Sequence, residues 1–255
     1  MKMFLFKRKI LTAAVCLLLA AGMFYVVNHP AIVGAAAAAR QLPIYCVQRD
    51  QKVLSISFDA AWGNEDTQML IDILGKYKIK ATFFVVGEWV DKYPESVKAL
   101  HDAGHEVMNH SNTHAHMSQL SKDEIIADVE ACNDKIEAVT GVRPTLIRPP
   151  YGEYDDNVIT AIRSIGMEPI QWDVDSLDWK GISAAEITKR VTGKVTNGSI
   201  VLFHNAGEHT PEALPDILNY LLGEGYEIVP ISKLLLTNEE TYIDHTGRQC
   251  RSAET

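Results

Sequence analysis

Two histidines four residues apart, His110 and His114, enclose Ser111-Asn112-Thr113. Imidazole is the commonest protein ligand for a borderline metal, and two on one short segment supply half of a tetrahedral zinc shell. An isolated pair of this spacing reads more readily as two surface histidines in a polar loop. Its company distinguishes it. Asp59 closes the apolar run from Val53 to Phe58. Arg148-Pro149-Pro150-Tyr151-Gly152 follows, then Asp173-Val174-Asp175-Ser176-Leu177-Asp178-Trp179, and last Val201-Leu202-Phe203-His204. A carboxylate, a guanidinium, a further acidic cluster and a third imidazole thus each end or follow an apolar run of strand character.

The elements that must position these groups alternate strictly. Strand-like runs at Val53–Phe58, Ala81–Val86, Glu106–Asn109, Thr145–Arg148, Met167–Asp173, Ser199–Phe203 and Tyr226–Val229 are separated by segments of helical spacing. Ser121 with Glu124 and Ser183 with Glu186 are capping boxes that start helices, and Gly141 stops the first of them. Pro94 and Pro211 suit first helical turns. About seven strand–helix rounds without a GxGxxG turn predict an α/β fold, a distorted (β/α)7 barrel of the TIM type. In such a barrel the active site lies at the C-terminal strand ends, where Asp59, His110, Arg148, Asp173 and His204 all fall.

Five of the 24 basic residues and none of the 33 acidic ones lie in residues 1–40. The acidic body has no basic stripe, which argues against nucleic acid as a partner. Lys7-Arg8-Lys9 precedes the uncharged run from Ile10 to Val27, long enough to span a bilayer with its basic flank in the cytoplasm. The expected organisation is a cytoplasmic stub and anchor over 1–30, a linker over 31–51, the catalytic body over 52–236 and a loose polar tail over 237–255. The body is expected outside the cytoplasm on a single-pass anchor, with secretion after signal cleavage near Gly34–Ala39 as the alternative. Cys46, Cys132 and Cys250 form no disulfide framework or thiolate metal motif, although a Cys46–Cys250 bridge would tie the two ends of the body together.

Taken together and in order, Ser57-Phe58-Asp59, His110-Ser111-Asn112-Thr113-His114, Arg148-Pro149-Pro150-Tyr151-Gly152, Asp175-Ser176-Leu177-Asp178-Trp179 and Val201-Leu202-Phe203-His204 resemble the five motifs of the NodB-homology polysaccharide deacetylases, the fourth carbohydrate esterase family. The resemblance runs from about Lys52 to Leu236, and its sporulation-associated subgroup is the most similar. It implies zinc- or cobalt-assisted hydrolysis of the N-acetyl group of amino sugars in peptidoglycan or a chitin-like polymer, releasing acetate. His110 and His114 would hold the metal, and Asp59 would be the general base, positioned by Arg148. The Tyr151 backbone N–H would stabilise the oxyanion. His204 would be the general acid, oriented by Asp175, while Trp179 and Leu202 would wall the acetyl methyl. Asp173 receives no role.

The sequence departs from the family at one position. Where a second aspartate usually supplies the third metal ligand, this chain has Ala60. Asn64, Glu65, Asp66 or His116 would have to replace it, or metal would bind weakly, or the protein would be a glycan-binding or sporulation wall protein with little turnover. Cell-wall glycan and the membrane are the expected partners.

Overall fold

The computed structural model describes residues 15–25, 40–237 and 240–252. The chain divides into two compact units, Met1–Arg40 and Gln41–Thr255. In the first, residues 15–25 are helical and exposed, and the rest of the expected span from Ile10 to Val27 lies outside the described residues. Among the described residues no helix is long and apolar enough to cross a membrane.

The second unit is an α/β fold. In chain order it contains β1 (Cys46–Val47), β2 (Val53–Ala60), α1 (Thr67–Lys76), β3 (Thr82–Val85), α2 (Gly87–Lys92), α3 (Pro94–Asp102), β4 (Glu106–Asn109), α4 (Lys122–Thr140) and β5 (Leu146–Ile147). Then come α5 (Asp156–Ser164), β6 (Glu168–Pro169), β7 (Val174–Asp175), α6 (Ala184–Thr192), β8 (Ile200–His204), α7 (Thr210–Gly223), β9 (Glu227–Ile228), α8 (Ile231–Leu234), β10 (Thr241–Ile243) and β11 (Arg248–Arg251). Both capping boxes form, and Gly141 ends α4 in the left-handed conformation at φ 75°. Helix α2 has no counterpart among the expected elements.

The main sheet is parallel, in the order β6-β5-β4-β3-β2-β8-β7, with β9 also on β2. It curls into an open half-barrel, the distorted form of the expected (β/α)7 barrel. The end strands β6 and β7 are two residues each, too short for a continuous ladder across the seam. The segment before and within β1 bridges that seam instead. The Ile44 N–H donates to Pro169 O, Gln171 N–H to Ile44 O, and Val47 N–H to Gly198 O. A side chain at Gly198 would collide with Val47 O, 1.7 Å from the added Cβ, so this close crossing requires glycine. The linker expected over 31–51 is therefore, from Ile44 onward, part of the fold.

Strand alternation sorts the core. Leu54, Ile56, Phe58 and Ala60 of β2 belong to a cluster with the surrounding helices, in which Phe58 stacks on Phe83 at 4.8 Å. Ser55, Ser57 and Asp59 face the inside of the curl. The register pairs Asp59 with Phe84 on one side and His204 on the other. Phe84, at that level, packs inside with Met108, Ile170 and Ile200.

The tail is not loose. Strands β10 and β11 form an antiparallel hairpin, and β11 pairs in parallel with β1. Asp244 Oδ1 accepts from the Thr246 and Arg248 amides at the turn, and Gly247 takes φ 84°. The Cys46–Cys250 bridge does not form: both thiols are free, and the register sets Cys46 beside Arg248.

Candidate active site

Asp59 and His204 lie at the ends of neighbouring strands, at one level, facing the same side. Arg148, which follows β5, reaches beneath them, fully buried. Its Nη1 donates to Asp59 Oδ1 at 2.6 Å, and its Nη2 donates to Ser57 Oγ at 2.9 Å and Gln171 O at 3.2 Å. The guanidinium lies 4.3 Å from the Phe84 ring centroid. Burial alone would raise the Asp59 carboxyl, but Arg148, with His110 and His204, holds it below the usual carboxylate range.

His110 directly follows β4. Its Nδ1–H donates to Arg148 O at 2.7 Å, because a carbonyl can only accept, so Nε2 carries the free lone pair. That Nε2 is 3.6 Å from Asp59 Oδ2. Burial pushes His110 down and His114 down to about 4, which favours the neutral form of both rings. The two ring centroids are 5.1 Å apart.

A network shapes the loop between them. Asn109 Oδ1 accepts from Ser111 N–H, and Asn109 Nδ2 donates to Asn133 Oδ1 and Val129 O of α4. Asp128 accepts from Asn112 N–H and the Thr113 hydroxyl, and Ser111 Oγ accepts from His114 N–H. Ser111 and His114 both sit at positive φ, 68° and 55°, and this network holds them there.

His204 is oriented by Asp178, not by Asp175. His204 Nδ1–H donates to Asp178 Oδ1 at 2.8 Å, and the His204 amide donates to Asp178 Oδ2 at 2.8 Å. The same buried carboxylate accepts from the Thr210 hydroxyl and the Trp179 amide. Asp175 Oδ1 instead accepts from Leu177 N–H, which folds the chain through a left-handed turn at Leu177 (φ 57°) and carries Asp178 back under His204. Burial would lower the His204 ring, but the Asp178 hydrogen bond, with the Asp59, Asp178 and Asp175 charges, raises it above the ordinary imidazole value.

These groups open onto a cavity of about 470 Å³ lined also by Ala61, Trp62, Tyr151, Trp172, Asp175, Trp179 and Leu202. Every expected site residue except Arg148, which lies beneath, thus lines one cavity. Tyr151 sits at φ 61° and its ring contacts His114 at 4.5 Å. Asp173 lies outside, accepting from Ser199 Oγ and the Ile200 amide.

The donor set does not complete a metal shell. Among the described residues no group of three or more His, Cys, Asp or Glu could hold an ion. Ala60 is 1% exposed, packed in the outer core, and does not line the cavity. The proposed substitutes are committed elsewhere. Asn64 donates to Ser96 Oγ, Glu65 Oε2 accepts from the Asn64 amide, and Asp66 Oδ2 accepts from the Ala206 amide. The His116 ring stacks on Tyr151 and pairs with Glu153. Two imidazoles fall short of the three protein ligands of a catalytic zinc.

Sequence reasoning missed Asp178 as the partner of His204 and Trp62 in the cavity wall. Asp178 stood inside a motif already singled out; the signal was two acidic residues three apart, with only geometry to choose between them.

Residues 47–170 match the polysaccharide deacetylase family. The peptidoglycan-N-acetylmuramic acid deacetylase PdaC of Bacillus subtilis is 36% identical over 188 residues, 74% of this chain, which spans only 40% of PdaC. A peptidoglycan-N-acetylglucosamine deacetylase of Bacillus cereus is 32% identical over 73% of this chain and 70% of its own length. Among solved structures, BA3943 of Bacillus anthracis, described as a CE4 family pseudoenzyme, superposes with a TM-score of 0.73 at 37% identity, covering 75% of this chain and 68% of its own. A mutant of BA3943 is described as having restored enzymatic activity.

Proposed function

This chain belongs to the polysaccharide deacetylase family, the fourth family of carbohydrate esterases, and on that footing we propose that it hydrolyses the N-acetyl group of an amino sugar in cell-wall polysaccharide, releasing acetate. One observation carries the reading: an Asp59–Arg148 pair and a His204–Asp178 pair stand side by side at one level and share a cavity with an apolar wall. Their environments push the two groups in opposite senses, Asp59 toward the anion and His204 toward the cation, which assigns base and acid.

Asp59 takes the proton of a water as its oxygen adds to the acetyl carbonyl carbon. The tetrahedral adduct collapses with cleavage of the C–N bond. Nε2 of His204 protonates the departing amine, giving acetate and the free amino sugar. Leu202 and Trp179 receive the acetyl methyl, and the Tyr151 amide is the proposed oxyanion donor. Asp178 holds the His204 tautomer, and Arg148 holds the Asp59 rotamer. No step is assigned to a metal, because two imidazoles alone would hold zinc or cobalt only weakly. Acetate release from N-acetylglucosamine oligomers and peptidoglycan tests the reading.

A second reading is favoured by the missing donor at Ala60 and by the likeness to a pseudoenzyme. In it the same cavity binds wall glycan without turnover. Retention of glycan with no acetate formed, at any zinc concentration, would establish it. In either case the proposed site of action is outside the cytoplasm, in keeping with Lys7-Arg8-Lys9 before the apolar run. Fractionation separates the forms: full-length protein in membranes marks an anchor, and a shortened chain in the medium a cleaved signal. Soluble cytoplasmic protein would refute both.

A further inference from the structure

Tyr151, whose amide is the proposed oxyanion donor, sits at φ 61° and ψ 4°, a left-handed conformation that strains a tyrosine and costs a glycine nothing. Gly152 follows it at φ 68°. The residue is 57% exposed, so burial in the core does not hold it there. Two imidazoles contact its ring instead. His114 meets it edge-on at 4.5 Å, and His116 lies nearly parallel to it, at 4.3 Å and 11°.

His116 is itself fixed. Its Nδ1–H donates to Glu153 Oε2 at 2.7 Å, and the Ser118 hydroxyl donates to Glu153 Oε1. His116 and Ser118 flank Met117, which is 1% exposed and belongs to a core cluster with Ile125, Ile147 and Val158. The Glu153 amide donates to Pro150 O at 3.1 Å, closing the turn that carries Tyr151. The contacts thus form a ring, from the Tyr151 side chain to His116, to Glu153, and back through the turn to Tyr151. None of His116, Ser118 and Glu153 lines the catalytic cavity.

We propose that His116, oriented by Glu153, is a positioning residue that aims the Tyr151 amide at the oxyanion. The inference rests on the proposed deacetylation. One well-formed aromatic pair is of the same order as the strain of one left-handed non-glycine residue, so the stack offsets what the turn costs. Without it Tyr151 relaxes toward negative φ, and the peptide that carries its N–H turns with it. The charge that needs this donor develops only in the transition state. The brace therefore acts on kcat and leaves binding of the sugar unchanged.

Acetate-release kinetics of the full chain on the N-acetylglucosamine tetramer test this, beside the Tyr151 amide signal in a proton–nitrogen NMR spectrum, which needs no turnover. His116→Ala and Glu153→Ala should each lower kcat at least about tenfold, short of the roughly 10²–10³-fold loss of a whole oxyanion donor. KM should stay unchanged and the Tyr151 amide signal should move. His116→Phe keeps a ring on Tyr151. In Glu153→Gln the oxygen still accepts from His116 while the NH₂ donates to Ser118 Oγ. Both should recover most of the loss. The His116 and Glu153 side chains are 52% and 32% exposed, so all four variants should melt near wild type. Wild-type kcat in His116→Ala, or a loss as large in His116→Phe and Glu153→Gln as in the alanine variants, overturns the brace while leaving the proposed function standing. A wild type that forms no acetate overturns the proposed function. The NMR signal then decides the brace alone, and an unmoved Tyr151 amide in His116→Ala overturns it.

Discussion

Replacing Asp178 by asparagine separates the geometry found here from the one the sequence suggests. The two oxygens of Asp178 accept four hydrogen bonds, from His204 Nδ1, the His204 amide, the Trp179 amide and the Thr210 hydroxyl. An asparagine has one oxygen. With its NH₂ group on one side it faces the His204 amide; with it on the other it faces the Trp179 amide. Neither backbone N–H can turn into an acceptor, so one buried donor is left unpaired in either orientation, at a cost of about 1–3 kcal/mol of stability. The His204 ring also loses its anionic partner. Its pKa, raised in the wild type, falls, and since the acid form is the active one, the alkaline limb of kcat/KM moves to lower pH. The pair stabilises the fold below the unfolded imidazole pKa, and that contribution is lost as pH rises through the folded one; Asp178→Asn should flatten this part of the stability profile. Turnover should fall roughly 10²–10⁴-fold. Asp175→Asn, which touches only the Leu177 amide, should move the limb slightly and cost less than about tenfold. Acetate-release profiles, with NMR titration of His204 as a readout independent of turnover, would decide. A wild-type His204 titration in Asp178→Asn, with a large change in Asp175→Asn, would refute the assignment.

Arg148→Gln leaves Asp59 buried without its cation and should destabilise by about 3–5 kcal/mol. In the wild type the depressed Asp59 pKa contributes stability above the unfolded value that is lost as pH falls through the folded one; the variant should lose that acid-side slope, and thermal melts across pH that keep it would contradict the ion pair's role. Ala60→Asp buries a carboxylate at a 1%-exposed outer-core site next to Asp59, so the metal-free variant should melt below wild type; where the strand end turns to bring that carboxylate to the cavity, zinc should bind more tightly and restore the melting temperature. Calorimetry showing no gain in zinc affinity would mean that the shell is not short of a donor at this position.

The level at which Asp59, Arg148 and His204 meet was legible because strand alternation and strand ends can be read from apolar runs, and both capping boxes carry their own signal. The carboxylate partner of His204 was not. It depends on a leucine in a left-handed turn, a conformation that nothing in the side chain announces. The distorted barrel was legible in the strand–helix rounds, but where it opens was not, because counting rounds says nothing about the length of β6 and β7. The C-terminal hairpin was legible in principle: Asp244-His245-Thr246-Gly247 has aspartate where a turn needs a side-chain acceptor and glycine where it needs positive φ. Polar composition hid it. The commitments of Asn64, Glu65, Asp66 and His116 are contacts between distant segments or loop details, which position in the sequence cannot supply.

The central claim is that the cavity between Asp59 and His204 breaks an N-acetyl bond. The direct measurement is acetate released from the N-acetylglucosamine tetramer by the full chain, over a series of zinc concentrations, beside Asp59→Asn and His204→Ala. Acetate from the wild type, reduced at least about a hundredfold in each variant while both keep the fold, is the predicted result. Tetramer bound by the wild type with no acetate formed at any zinc concentration, or equal release from all three proteins, would contradict it.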